Sequence, residues 1–259
     1  MTSSMMLPPC FADRREAGVY LGRRLVELGC ASPDDLSTRA PVLVLALPRG
    51  GVPVGFEVAR ALDAALDVLL VRKIGAPGYP ELALGAVVEG STEGLAPYTV
   101  TNDDAWARRA VESGAFAAER GRQLDEICRR QQRYRQGRPV AMLAQRRVIV
   151  VDDGVATGAT MRAALASVRA AGAAEVVAAL PVGAAQGLAS LATVADRVIC
   201  LNTPPEFGAV GAYYLDFTQT SDEEAMALMR EAATWQHAPL PPLTTTTSTS
   251  TPAWARANR

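Results

Sequence analysis

Residues 148–160, Val-Ile-Val-Val-Asp-Asp-Gly-Val-Ala-Thr-Gly-Ala-Thr, constrain this chain more than any other stretch. The β-branched run Val148 to Val151 has no polar face for water, which suits a strand covered on both sides in a parallel sheet. It ends at two adjacent carboxylates, Asp152 and Asp153, and small residues then lead into a helix-forming segment from Met161. Open parallel sheets bind ligands beyond the carboxyl ends of their strands, where both acids would emerge. Ala156 to Thr160 bring successive backbone N–H groups and two hydroxyls to a helix N-terminus, a site for a phosphate monoester. Carboxylates for sugar hydroxyls, with a phosphate one turn away, describe a phosphorylated ribose.

The stretch resembles the phosphoribosyl-pyrophosphate (PRPP) motif of the type I phosphoribosyltransferases. That motif is an apolar strand, two acidic residues, two or three small or apolar residues, then Thr-Gly-x-Thr. The resemblance implies that Asp152 and Asp153 hold the ribose 2′- and 3′-hydroxyls with Mg2+ nearby. It also implies that Ala156, Thr157, Gly158, Ala159 and Thr160 cradle the 5′-phosphate. Acidic pairs and Thr-Gly turns are each common, but all parts in this order are rarely fortuitous.

Pro48-Arg49-Gly50-Gly51 follows a second apolar run, Val42 to Leu47. The glycines let backbone amides approach an anion, and Arg49 adds charge and donors. In the resembled family the corresponding loop binds pyrophosphate, often through a cis peptide. Val71-Arg72-Lys73-Ile74-Gly75-Ala76-Pro77-Gly78 is similar to the segment that enters the flexible catalytic loop of adenine-type enzymes. Arg72 and Lys73 would meet pyrophosphate charge, and a loop through Tyr79 and Glu81 would close over the site and exclude water. Glu206 to Phe217 loosely resembles the base-binding hood of hypoxanthine–guanine-type enzymes. Its aromatic residues suit stacking on a planar base and an ordinary core equally well. Ala156 stands where the hypoxanthine–guanine type carries an Asp, so a general base would be Glu81 or Asp216, or the acceptor needs none.

Elsewhere the pattern predicts helices over 13–29, 53–64 and 221–235. It predicts strands at 42–47, 67–71, 84–88, 175–180 and 197–201, and a Gly/Pro loop over 74–80. This order is that of a doubly wound α/β fold with a parallel sheet. One domain is expected over 1–237, with a hood near 200–220 and one long helix over 103–136 as an insertion that the resemblance does not explain. Residues 238–259, rich in Pro and Thr, are expected to be a disordered tail.

The chain has 259 residues, 49% of them hydrophobic, enough for a substantial core. Its net charge of −1 gives no global reason to expect nucleic acid or acidic membranes as partners. The arginines of 103–147 suit a solvated helix face balanced by Glu112, Glu119, Asp125 and Glu126 better than an RNA surface. Cys10, Cys30, Cys128 and Cys200 form no Cys-x-x-Cys pair and read as thiols of a reducing compartment. His237 is the sole histidine, which argues against histidine-based catalysis or metal binding. No signal peptide or membrane-spanning run is visible, so a cytoplasmic protein is expected, and a homodimer with it. The resemblance implies transfer of ribose 5-phosphate from PRPP to a nitrogenous base. A non-catalytic PRPP- or nucleotide-sensing regulator is the alternative.

Overall fold

The computed structural model describes residues 10–31, 41–90, 96–103 and 105–235, without the side chains of Pro80 and Glu81. The expected tail and His237 lie outside the described residues. In chain order the elements are α1 (Arg14–Glu27), β1 (Val42–Ala46), α2 (Gly51–Ala61), β2 (Ala65–Val68), β3 (Val71–Ala76), β4 (Tyr79–Val88) and β5 (Tyr98–Thr101). Then follow α3 (Ala105–Glu112), α4 (Ala115–Arg135), β6 (Arg147–Val151), α5 (Ala159–Ala170), β7 (Glu175–Val182), α6 (Ala185–Leu191), β8 (Arg197–Asn202) and α7 (Asp222–Ala233).

Five strands form a parallel sheet in the order β2-β1-β6-β7-β8. The apolar runs have the physical cause read from them, because successive side chains enter opposite cores. Val42, Val44 and Ala46, with Ile149, Val151, Val177 and Ala179, pack with residues of α1, α2 and α7. Leu43 and Leu45, with Val148, Val150, Val176 and Ala178, pack against α5 and Leu191 of α6. The fold is doubly wound. Among the described residues no helix is long and apolar enough to cross a membrane.

Three expectations need correction. Residues 67–71 are not one strand: β2 ends at Val68, and β3 starts a separate antiparallel sheet in the order β3-β4-β5. The Gly/Pro segment 74–80 is therefore a hairpin rather than a loop, with Ala76 opposite Tyr79. Pro77 and Gly78 make its two-residue turn, and Gly78 takes φ 76, as the second central position of such a turn requires. The long helix is likewise two helices, α3 and α4, broken at Ser113-Gly114, where Gly114 has φ 77. Phe116 and Ile127 of α4 join Ile74 and Leu84 of the hairpin in the core, so the insertion covers the second sheet.

Candidate functional site

β1 and β6 are neighbours in register, with Ala46 opposite Val151, so the segments that leave their carboxyl ends run side by side. The Leu47 N–H donates to the Val151 carbonyl at 2.9 Å, extending the pairing past the strand end. The next peptide, Pro48–Arg49, is cis. The glycine pair has a steric cause in the neighbouring loop. A Cβ on Gly50 would collide with the Asp153 carboxylate, and one on Gly51 would sit 2.8 Å from the Val151 carbonyl oxygen.

Asp152 and Asp153 lie beyond β6, both half-buried. Burial pushes the Asp152 carboxyl well above the usual carboxylate range, and the Asp153 charge pushes it further. Burial raises Asp153 as well, opposed by Arg14, whose Nε donates to Asp153 Oδ2 at 2.8 Å. Asp152 Oδ1 accepts the Asp153 N–H at 2.9 Å. Ala156, Thr157 and Ala159 are exposed, Thr160 is half-buried, and Gly158 takes φ 80 to open α5. The first amides of a helix have no intrahelical acceptor, so this turn offers unpaired backbone donors of the kind that bind anions elsewhere.

Arg49 borders a cleft of about 340 Å³ that Arg14, Gly50, Asp153, Phe217, Gln219 and Thr220 also line. Its Nε lies 4.0 Å from Asp222 Oδ1 at the start of α7. Asp222 is held more firmly by Arg133, at 2.8 Å, and by the Tyr134 hydroxyl, at 2.5 Å. The end of α4 thus reaches the Arg49 turn. Arg72 and Lys73 separate across the pleat of β3. Arg72 is half-buried and donates to Gln123 of α4 at 2.9 Å, whereas Lys73 is exposed. Glu81 stands on β4. Asp216 is exposed and accepts the Thr218 N–H at 2.9 Å, and its bonds to Thr218 hold its carboxyl below the usual range.

The hood divides the aromatic residues. Tyr214 is buried with Phe11, while Phe207 and Tyr213 stack on each other with ring centres 5.7 Å apart. Phe11 bridges to Tyr214, so the segment before α1 is part of the hood. The Tyr214 hydroxyl donates to the Asp153 carbonyl at 2.5 Å. Arg14, Tyr134 and Asp222 escaped the sequence reading, and Tyr214 was expected only as one of the hood aromatics. Arg14 follows the helix-capping Asp13, which accepts the Glu16 N–H at 2.8 Å, so the sequence signals a helix start there and nothing about a site.

A doubly wound parallel sheet with an acidic pair, a glycine-opened helix start and a glycine turn at one edge defines a protein of the type I phosphoribosyltransferase fold. A family model described as phosphoribosyl transferase domain matches residues 34–218. Two curated proteins of Mycobacterium tuberculosis, "Putative phosphoribosyl transferase MT0597" of strain CDC 1551 and "Putative phosphoribosyl transferase Rv0571c" of strain H37Rv, are each 47% identical to this chain over 222 residues. Those residues are 86% of this chain and 47% of each relative, so the chain spans about half the length of the curated relatives it matches. The crystal structure of TT1426 from Thermus thermophilus is 45% identical with a TM-score of 0.70, covering 88% of this chain and 100% of that one. The chain belongs to the phosphoribosyl transferase family.

Proposed function

We propose that the protein transfers ribose 5-phosphate from PRPP to a nitrogen of a small base and releases pyrophosphate. One observation carries this reading: the acidic pair, the Thr157–Thr160 cradle and the Arg49-Gly50-Gly51 turn share one sheet edge. In it, the backbone amides and hydroxyls of Ala156 to Thr160 bind the 5′-phosphate, and Asp152 and Asp153 accept from the ribose hydroxyls. Arg49 and the amides of Gly50 and Gly51 receive the departing pyrophosphate. Lys73, exposed on β3, adds charge from the hairpin, with Arg72 held behind it on α4. Tyr79 at the hairpin tip is 67% exposed, and in this reading the hairpin closes over the site and sheds water from the reacting carbon. Asp216, with its carboxyl held low, suits orienting an acceptor N–H rather than carrying its proton away. Glu81 is the remaining carboxylate for that step.

The residues fit Mg2+. Asp152 and Asp153 are two half-buried carboxyls whose pKa values burial raises, a site short of positive charge. Two carboxyls would be few ligands from the protein, as Mg2+ often has, the rest being waters and substrate oxygens. When bound, Mg2+ would neutralise pyrophosphate and ribose oxygens beside the acidic pair.

The test is thermal unfolding with PRPP and Mg2+, together with pyrophosphate release across a panel of bases. At PRPP about 100-fold above Kd the folded state should gain about 2.7 kcal/mol. No stabilisation at millimolar PRPP overturns the proposal. Stabilisation without release from any base would assign the site to sensing instead.

A further inference from the structure

Among the described residues, Arg14 alone forms an ion pair with the acidic pair, and it comes from outside both loops that build the catalytic edge. It occupies the first position of α1 and is 9% exposed. Its three contacts face different parts of the site. Nε donates to Asp153 Oδ2 at 2.8 Å. Nη1 donates to the Thr218 carbonyl of the hood at 2.7 Å. The guanidinium carbon lies 3.9 Å over the Phe217 ring. Gly50 closes the other side of the same carboxylate oxygen, leaving no room for a Cβ. Below, the Tyr214 hydroxyl holds the Asp153 carbonyl.

Asp153 is therefore gripped at one carboxylate oxygen and at its backbone carbonyl, with its second oxygen left for a ligand. We infer that Arg14 is a positioning residue of the ribose site: it fixes the Asp153 carboxylate for the sugar hydroxyls and ties it to the hood through Thr218 and Phe217. This inference rests on the phosphoribosyl reading above. The planar fork of arginine matters, because one guanidinium serves a carboxylate, a carbonyl and an aromatic face at once, and a lysine ammonium cannot do so in this geometry. Covering one face of Phe217 also removes that face from stacking on a base.

The arrangement separates the two ends of PRPP. Arg14 acts on the ribose through Asp153, whereas pyrophosphate is assigned to Arg49 and the glycine amides. The experiment is calorimetric titration of the full chain with PRPP, ribose 5-phosphate and inorganic pyrophosphate, each with Mg2+, for wild type, Arg14→Lys and Arg14→Met. Arg14→Met should weaken PRPP and ribose 5-phosphate by about tenfold or more, the loss of one charge-assisted hydrogen bond. Inorganic pyrophosphate should lose clearly less than PRPP, since Arg14 borders the cleft of Arg49 and Gly50 but makes its ion pair with Asp153. Arg14→Lys keeps the charge but not the fork, so it should recover only part of the PRPP affinity. Arg15→Met is the control for a purely architectural arginine, since Arg15 pairs with Glu57 of α2 at 2.6 Å. It should lower the melting temperature and leave all three affinities alone. The inference is overturned if folded Arg14→Met binds PRPP like wild type, or if it loses all three ligands alike. If wild type binds none of the three, the phosphoribosyl reading itself fails, and Arg14 falls with it.

Discussion

Two places in this molecule bring carboxylates together out of water, and they are built in opposite ways. Where α4 ends, Arg135 is enclosed by Glu89, at 2.6 Å and 2.8 Å, by the Val68 carbonyl at 2.7 Å and by Asp67 at 3.3 Å. The acids there have further donors. Glu89 accepts from Gln131 and the Leu70 N–H, and Asp67 accepts from the N–H groups of Val68 and Ala141. Burial works against the Arg135 charge, but Glu89 and Asp67 hold its pKa above the ordinary value. Beyond β6 the only ion pair of the acidic pair among the described residues is Arg14 with Asp153, and both carboxyls are pushed up. A saturated network locks the inserted helix to the ends of β2 and β4. An unsaturated one has affinity left over for a ligand.

The largest effect should come from breaking the saturated side. Arg135→Met strands two buried acids and should cost about 3–5 kcal/mol in urea unfolding; a loss below about 1 kcal/mol would erase the contrast. Asp152→Asn should do the reverse. It should abolish stabilisation by PRPP while leaving the free protein as stable as wild type or up to about 1 kcal/mol more so, since a buried charge is removed. The pH dependence carries the sign. A folded pKa raised above 3.8 means that the ionised carboxylate destabilises the fold once the pH rises past 3.8, fully so above the folded pKa. In chelator-treated buffer the advantage of Asp152→Asn should therefore shrink as pH falls towards 3.8, and an advantage that grows on acidification would refute the assignment. The smallest effect belongs to the exposed face of α4. Arg129 holds the Glu126 carboxyl down to about 2, yet Arg129→Ala should leave the urea midpoint where it was, because water screens the pair.

That face shows how far the sequence could be read. The arginine run of 103–147 reads as a solvated face, and for Arg129 it is one, with 59% side-chain exposure. Arg135, six positions on in the same run, is buried at 3%. Composition cannot separate them, since only the packing of α4 decides which arginines turn inward. The 148–160 segment was legible because strand, acids and helix start are contiguous and each has a local physical signature. The hairpin was not, because Gly75, Pro77 and Gly78 punctuate it like a loop, and its pairing is visible only across strands. Arg14 left no signal at all: its carboxylate partner lies 139 residues away.

That separation also bears on the order in which the molecule assembles. The bond from Arg14 to the Thr218 carbonyl spans 204 residues, while β6 and the start of α5 are contiguous in the chain. Closing a long loop costs more chain entropy than joining neighbours, and non-local contacts slow folding. On the ribosome, the strand, acids and helix start of 148–160 emerge before the hood that Arg14 must grip has been synthesised. A nascent chain would therefore hold the backbone of that turn first and its pinned Asp153 last.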